Sequence, residues 1–421
     1  MPFNTISVIG LGYIGLPTAA MFASKKKHVI GVDVNPHAVE TIKQGRIHIV
    51  EPLLDEIVHK AVNDGYLRAT LIPEPADAFL VAVPTPFKDH NQPDLSYIEA
   101  ASLAIAPVLK KGDLVILEST SPVGTTEQMA RWLAEQRPDL TFPQQVGECA
   151  DINIAHCPER VLPGQVVREL ITNDRVIGGL TPKCSARCIE LYKIFVEGEC
   201  ITTNARTAEM AKLTENASRD VSIAFANELS LICDKLDINV WELISLANRH
   251  PRVNILQPGP GVGGHCIAVD PWFIVAKTPE QAQLIKTARK VNDSKPLWVI
   301  DKVKQLMTKF LIDNPNKTAK EVTIACFGLA FKPNIDDLRE SPSVSITQTL
   351  ATELPCQVWS VEPNINELPD SLCQISTLVT QKTALTEADI LVMLVDHSEF
   401  KDISLQNVNA KLYIDTKGIW Q

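Results

Sequence analysis

The sequence predicts an α/β protein in which two doubly wound domains are joined by a central helical domain with one long helix. Three observations carry this reading. Short β-branched runs alternate with helical patterns over the first half, the rhythm of a parallel sheet with crossover helices. From Asn204 to Asp237 there is neither Pro nor Gly, and Ala208, Ala211, Phe225, Leu229 and Ile232 recur at helical spacing. The alternating rhythm resumes at Val322-Thr-Ile-Ala-Cys-Phe-Gly. The expected domains are 1–200, 201–312 and 313–421.

Each element has a local reason. Ile6–Gly10, Val29–Asp33, Ala78–Val83 and Leu114–Glu118 are apolar runs of strand length, and Ala101–Leu109 is a helix between the last two. Thr203 or Asn204 can cap the long helix. About 30 residues at 1.5 Å each make it roughly 45 Å long. A helix of that length bridges domains, forms a subunit interface or lies in a core. A Pro- and Gly-rich loop covers Arg249–Pro271, a further helix Ala282–Phe310, and a polar linker Asp313–Lys320. Strands then follow at Gln357–Val361, Ile390–Val395 and Lys411–Asp415.

Composition narrows the function. The 421 residues are 45% hydrophobic and 21% charged, values of an ordinary globular protein. Asp and Glu number 50 against 40 Lys and Arg, a net charge of −10. That excludes a general nucleic-acid binder, which needs a basic face. An anionic ligand would need arginines and lysines gathered locally. No apolar run approaches the 18 or so residues of a spanning helix, so no membrane partner is expected. The N-terminus lacks a basic n-region and reads as a first strand, not a leader. Ten cysteines are scattered without a zinc pattern; Cys184 and Cys188 have no partners that complete a set, so no metal is expected. Scattered thiols suit a reducing cytoplasm.

Gly10-Leu-Gly12-Tyr-Ile-Gly15 follows the first strand and opens a helix, and Asp33 ends the second strand 23 residues after Gly10. This is a Rossmann-like fingerprint. Its glycines allow a tight turn, approach of a pyrophosphate and close helix packing, while the acid accepts the ribose hydroxyls. The acid would repel a 2′-phosphate, which favours NAD over NADP. A fold that keeps the pattern without a cofactor is the alternative. Thr85, Thr120 and Thr126 lie in turns at later strand ends, where cofactor or substrate sits in open α/β sheets, although Pro and Thr also suit plain turns.

Pro258-Gly-Pro-Gly-Val-Gly-Gly-His-Cys266-Ile-Ala-Val-Asp270 has four glycines in six residues. A thiol ending such a loop can be presented to a ligand, or it can be an inert buried Cys. If Cys266 begins a helix, Asp270 shares its face. Beside a nicotinamide site a cysteine can add to an aldehyde and carry it to an acid through a thioester. Lys212, Asn216 and Arg219 form one stripe of the long helix. They either hold a developing alkoxide or form a solvated face.

Together these motifs resemble the UDP-sugar 6-dehydrogenase family over essentially the whole chain. The resemblance rests on Gly10–Gly15, Val83-Pro-Thr-Pro86, Glu118-Ser-Thr120, Cys157-Pro-Glu159-Arg160, Lys212-Leu-Thr-Glu-Asn216, Gly263-Gly-His-Cys266 with Asp270, and Phe327-Gly-Leu-Ala-Phe-Lys332 with Arg339-Glu-Ser341. It implies Cys266 as nucleophile, Lys212 as general acid/base assisted by Asn216, and Asp270 orienting the hydrolytic water. It implies Glu159, Arg160 and Val161 lining the sugar site, with Arg219, His250, Arg252, Gly263 and Lys332 contacting the UDP-sugar. Tyr13, Ile14, Asp33, Thr85, Thr126 and Arg339 would hold NAD. A homodimer across the long helix is expected.

The Pro-Gly-Pro-Gly-Val-Gly-Gly-His-Cys form resembles the N-acetylhexosamine branch. Val269 stands where UDP-glucose enzymes usually have Lys, and Ala268 where much of the branch has Pro. The resemblance implies oxidation of C6 of UDP-N-acetylmannosamine to a carboxylate with two NAD+, for enterobacterial common antigen. UDP-N-acetylglucosamine and UDP-glucose are the alternative substrates. A two-electron 3-hydroxy-acid dehydrogenase would leave the Cys266 loop and the second α/β domain unused. A non-catalytic NAD sensor would not need Lys212 and Cys266 together.

Overall fold

The structure, a computed structural model, describes residues 3–49, 51–88, 91–162, 164–264, 266–403 and 411–420. The chain divides into two compact units, Met1–Glu215 with Trp272–Thr278, and Asn216–Pro271 with Pro279–Gln421.

The first unit holds β1 (Thr5–Ile9), β2 (His28–Val32), β3 (Leu67–Thr70), β4 (Ala78–Val81), β5 (Phe87–Lys88), β6 (Gln92–Pro93), β7 (Leu114–Leu117), β8 (Asn153–His156), β9 (Arg175–Gly179) and β10 (Cys200–Asn204). Eight of these form one sheet in the order β10-β9-β8-β7-β4-β1-β2-β3, while β5 and β6 make a separate ribbon. Neighbours in the large sheet are parallel except β8 and β9. Period-two alternation divides the sheet's core. Ile6, Val8, Leu80, Leu114 and Ile116 face one layer of helices, and Ile9, Phe79, Val81, Val115 and Leu117 face the other. Strand order reverses between β1 and β4, the crevice where ligands bind in such sheets.

Four strands of this sheet lie outside the four expected from sequence. β3 and β10 are partly exposed edges, and β8 is Asn-Ile-Ala-His, wholly buried yet half polar. The expected helix at Ala101–Leu109 is Ser96–Ile105 followed by a tighter turn at Ala106–Val108, because Pro107 cannot continue the α-helix.

The long helix runs Ala205–Leu236, 32 residues, and Asn204 is its cap, accepting the Thr207 N–H at 2.9 Å. The second unit adds the helix Gln283–Asp313 and the parallel strands β11 (Thr323–Phe327), β12 (Gln357–Val361), β13 (Thr377–Leu378), β14 (Ile390–Met393) and β15 (Leu412–Asp415). Their order is β13-β12-β11-β14-β15. Ile324, Val358 and Ile390 face one core layer, and Phe327, Val361 and Leu391 the other. Among the described residues no helix is long and apolar enough to cross a membrane.

His156 on β8 has no exposed surface, and burial lowers its pKa to about 3 from 6.5. The folded state therefore resists protonation that the unfolded chain accepts. Stability contributed above pH 6.5 is lost as pH falls toward 3, by about 1.4 kcal/mol per unit for this group. The thermal midpoint of His156→Leu should drop less than wild type between pH 7 and pH 5. Equal drops would show that His156 is not held neutral.

Candidate active site

The turn after β1 is shaped by two glycines. Gly10 has φ +91°, and a Cβ there would lie 2.5 Å from the Ala82 carbonyl oxygen. A Cβ on Gly15 would lie 1.8 Å from the Gly10 oxygen, so turn and helix meet only without side chains. A Cβ on Gly12 would meet nothing within 4 Å. That open cradle at the N-terminus of the helix Gly15–Ser24 fits a pyrophosphate, and Tyr13 and Ile14 flank it. Asp33 holds the turn from below. One carboxylate oxygen accepts the Leu11 N–H at 2.8 Å and the other the Asn35 N–H at 2.8 Å. Asp33 is partly exposed, so lone pairs remain for ribose hydroxyls.

The later strand-end turns are tied together. Thr85 donates its hydroxyl to the Thr120 carbonyl at 2.6 Å, and Ser119 donates to the Val83 carbonyl at 2.7 Å. Thr126 is fully buried and donates to Glu209 at 2.6 Å. Glu209 also accepts the N–H groups of Gly124 at 2.6 Å and Thr126 at 2.7 Å. An acid of the long helix thus caps the helix Thr125–Gln136. Burial raises the Glu209 pKa against those hydrogen bonds. Sequence reasoning missed Glu209, since an acid in a helix gives no sign of a partner over 80 residues away.

Glu159 follows β8 and is 7% exposed. It pairs with Arg175 at 2.5 Å and accepts the Arg160 N–H at 2.7 Å. The Arg160 side chain reaches Glu215 at 2.6 Å, and Val161 is half-buried. Lys212 is half-buried on the long helix, one turn before Asn216.

In the second unit Asn216 donates its amide to Asp270 at 2.5 Å, and Asp270 is 3% exposed. Cys266 is exposed. Its carbonyl accepts the N–H groups of Val269 at 3.1 Å and Asp270 at 2.9 Å, a single turn ahead of the helix Asp270–Lys277. Cys266 therefore does not begin the helix: it sits in the turn before it, and the helix itself begins at Asp270. His265 lies outside the described residues. A Cβ on Gly263 would meet the Glu340 oxygen at 2.6 Å, Phe331 Cβ at 2.8 Å and Pro342 Cδ at 2.8 Å. The loop therefore packs against the segment that carries Lys332 and Arg339. Arg219, His250, Arg252 and Lys332 are exposed, and Arg339 forks onto Asp337 at 2.6 Å. Among the described residues no group of three or more His, Cys, Asp or Glu is placed to hold a metal.

The turn after β11 repeats the first one. Gly328 has φ +91°, as Gly10 does, and its N–H reaches the Val361 carbonyl at 2.8 Å, as Gly10 reaches Val32 at 2.8 Å. Glu362 stands in the place of Asp33, accepting the Leu329 N–H at 2.7 Å and the Ala330 N–H at 3.1 Å. It is 5% exposed and bonded to the buried His397 at 3.0 Å. Burial pushes its carboxyl up, but the bonds from His397 and Leu329 outweigh this and hold it below the usual carboxylate value. Sequence reasoning missed Glu362; an acid at the end of the second strand of each α/β run is the signal that could have found it.

Family models decide the relationship. The NAD binding domain of the UDP-glucose/GDP-mannose dehydrogenase family matches residues 4–196, its central domain 206–294 and its UDP binding domain 325–421. The chain belongs to this family. Its cofactor is NAD, and the UDP binding domain contains the Gly328 turn and Glu362. The chain is 68% identical over 421 residues, all of both chains, to a UDP-N-acetyl-D-mannosamine dehydrogenase of Escherichia coli (strain K12). It is 65% identical over 418 residues to an NDP-N-acetyl-D-galactosaminuronic acid dehydrogenase of Ralstonia nicotianae, covering 99% of this chain and 96% of the relative. A solved UDP-N-acetyl-mannosamine dehydrogenase from S. aureus superposes with TM-score 0.84 at 42% identity, over 99% of this chain and 95% of that one.

Gly263→Ala tests the loop packing. Overpacking of this kind costs about 1–3 kcal/mol. Turnover should fall tenfold or more while NAD affinity stays at the wild-type value. Unchanged turnover would show that the loop has room the geometry denies it.

Proposed function

We propose that this protein oxidises the C6 alcohol of UDP-N-acetyl-D-mannosamine to a carboxylate, consuming two NAD+ and one water per sugar. The observation that carries the reading is Cys266, exposed one helical turn before a buried Asp270 that Asn216 holds. Full-length identity of 68% to a mannosamine dehydrogenase supports the sugar.

Gly10, Gly12, Tyr13, Ile14, Gly15, Asp33, Thr85, Thr120, Thr126 and Arg339 would hold NAD, which when bound supplies a hydride acceptor for each oxidation. Lys212 takes the proton of the C6 hydroxyl and Asn216 donates to the oxygen as charge develops, while C6 loses hydride to give the aldehyde. The Cys266 thiolate adds to the aldehyde carbon, forming a C–S bond, and its alkoxide regains a proton from Lys212. Lys212 takes the hydroxyl proton of this thiohemiacetal as its carbon loses hydride, which leaves a thioester on Cys266. Water oriented by Asp270 attacks the thioester carbonyl, the C–S bond breaks, and the acid leaves with the thiolate restored. Glu159, Arg160 and Val161 line the sugar, while Arg219, His250, Arg252, Gly263 and Lys332 hold the UDP-sugar.

The three-domain division at 200 and 312, a cytoplasmic setting and supply of enterobacterial common antigen belong to the same reading. So does a homodimer. Phe225, Ile232 and Leu236 on the long helix are 52%, 46% and 62% exposed, an apolar surface that a second copy would cover.

The test is a panel of UDP-N-acetylmannosamine, UDP-N-acetylgalactosamine, UDP-N-acetylglucosamine and UDP-glucose with NAD, counting NADH per sugar. The mannosamine sugar should turn over fastest with two NADH each, and Cys266→Ala should form no acid while still binding NAD. A preference for the galactosamine sugar, which the 65% identical relative makes the second reading, would keep the chemistry and change the sugar. One NADH with accumulating free aldehyde would overturn the thioester. The same preparation should sediment as a dimer; a monomer would remove the proposed interface.

A further inference from the structure

We infer that Arg175 is a positioning residue for this chemistry, fixing the Glu159 carboxylate through a buried network of two carboxyls and one guanidinium that Glu118 and Tyr192 complete. The inference rests on the reading above that Glu159 serves the sugar site.

Arg175 opens β9 and is 2% exposed, so its charge has little water to solvate it. Its Nη1 donates to Glu159 Oε2 at 2.5 Å, its Nη2 to the Leu170 carbonyl at 3.3 Å, and its guanidinium lies 4.9 Å over the Tyr192 ring. With the other oxygen of Glu159 accepting the Arg160 N–H at 2.7 Å, that carboxylate is held at both ends. It has one orientation available, which a group acting on a bound substrate requires.

Glu118 directly follows β7 and is 2% exposed. Its Oε1 meets the Tyr192 hydroxyl at 2.5 Å, and its Oε2 has no hydrogen-bond partner among the described residues. Tyr192, with no exposed surface, comes from the helix Pro182–Tyr192. The other titratable groups facing this network include the thiols of Cys157, Cys188 and Cys200. Two buried carboxyls thus share one guanidinium. Only one negative charge is balanced, which disfavours ionisation of the other carboxyl. The direct ion pair assigns the charge to Glu159. Burial and the neighbouring Glu159 push Glu118 up to about 7, in agreement with that division. Glu159 in turn raises the Arg175 pKa against the effect of burial.

A merely structural arginine would weaken the fold whatever stands at 159. An arginine that acts through Glu159 has nothing left to position once Glu159 is replaced. Arg175→Met, Glu159→Gln and the double variant distinguish the two, measured on the full chain with UDP-sugar and NAD. Misplacing a group that positions a bound substrate by about 1 Å costs about 100-fold in rate. Each single variant should lower kcat by about 100-fold with KM for the sugar changed less than about threefold, and the double variant should be no slower than Glu159→Gln. Arg175→Lys, which keeps the charge but loses the fork, should recover part of kcat and remains available if Arg175→Met does not fold. Multiplicative losses in the double variant, or a kcat in Arg175→Lys no better than in Arg175→Met, would overturn the inference alone. Wild-type kcat in Glu159→Gln would overturn the reading of Glu159 itself.

Discussion

A carboxylate bonded to the main-chain N–H groups of a strand-end turn is the interaction on which both nucleotide-binding ends of this protein depend. Asp33 holds the turn after β1 through Leu11, and Glu362 holds the turn after β11 through Leu329 and Ala330. The first of these turns leaves donors unpaired where the helix Gly15–Ser24 begins, and an anion is the partner that satisfies them best. The two acids then diverge. Asp33 keeps an exposed side that can reach ribose, whereas Glu362 is closed off by His397. The first acid can both build its site and touch the ligand; the second only builds.

The same device recurs where the long helix begins. Glu209 gathers the N–H groups of Gly124 and Thr126 and the Thr126 hydroxyl, so the helix Thr125–Gln136 is anchored to a residue of another element. At the far end of the loop chemistry, Asn216 and Asp270 form the corresponding contact between the long helix and the turn of Cys266. Buried acids that would each be costly alone are tolerated because N–H, hydroxyl or guanidinium groups meet them.

Much of this was legible in the sequence, for reasons that can be named. The Gly10–Gly15 turn and Asp33 follow from steric needs that only those residue types meet. The long helix showed itself through the absence of Pro and Gly, and its observed limits, Ala205–Leu236, fall within one residue of Asn204–Asp237. Strand β8 was hidden because Asn153 and His156 carry no apolar signal despite complete burial. The network of Glu118, Glu159, Arg175 and Tyr192 was hidden for a different reason. Its hydrogen-bonded pairs lie 16 and 74 residues apart, and a single charge has no periodicity to read. Thr126 could be placed at a strand-end turn, but only the folded chain shows its hydroxyl turned onto Glu209.

The claim that each nucleotide end is built by its own carboxylate-held turn is tested most directly by calorimetric titration of the full chain with UDP and with NAD. Glu362→Gln removes the charge and keeps the shape; Asp33→Asn does the same at the first turn. Loss of charge-assisted hydrogen bonds of this kind costs about 1.5–3 kcal/mol, roughly 10–150-fold in affinity. Glu362→Gln should weaken UDP by that factor and leave NAD within about twofold, while Asp33→Asn should do the reverse. Wild-type affinity for UDP in Glu362→Gln, or equal loss of both ligands in either variant, would contradict the account.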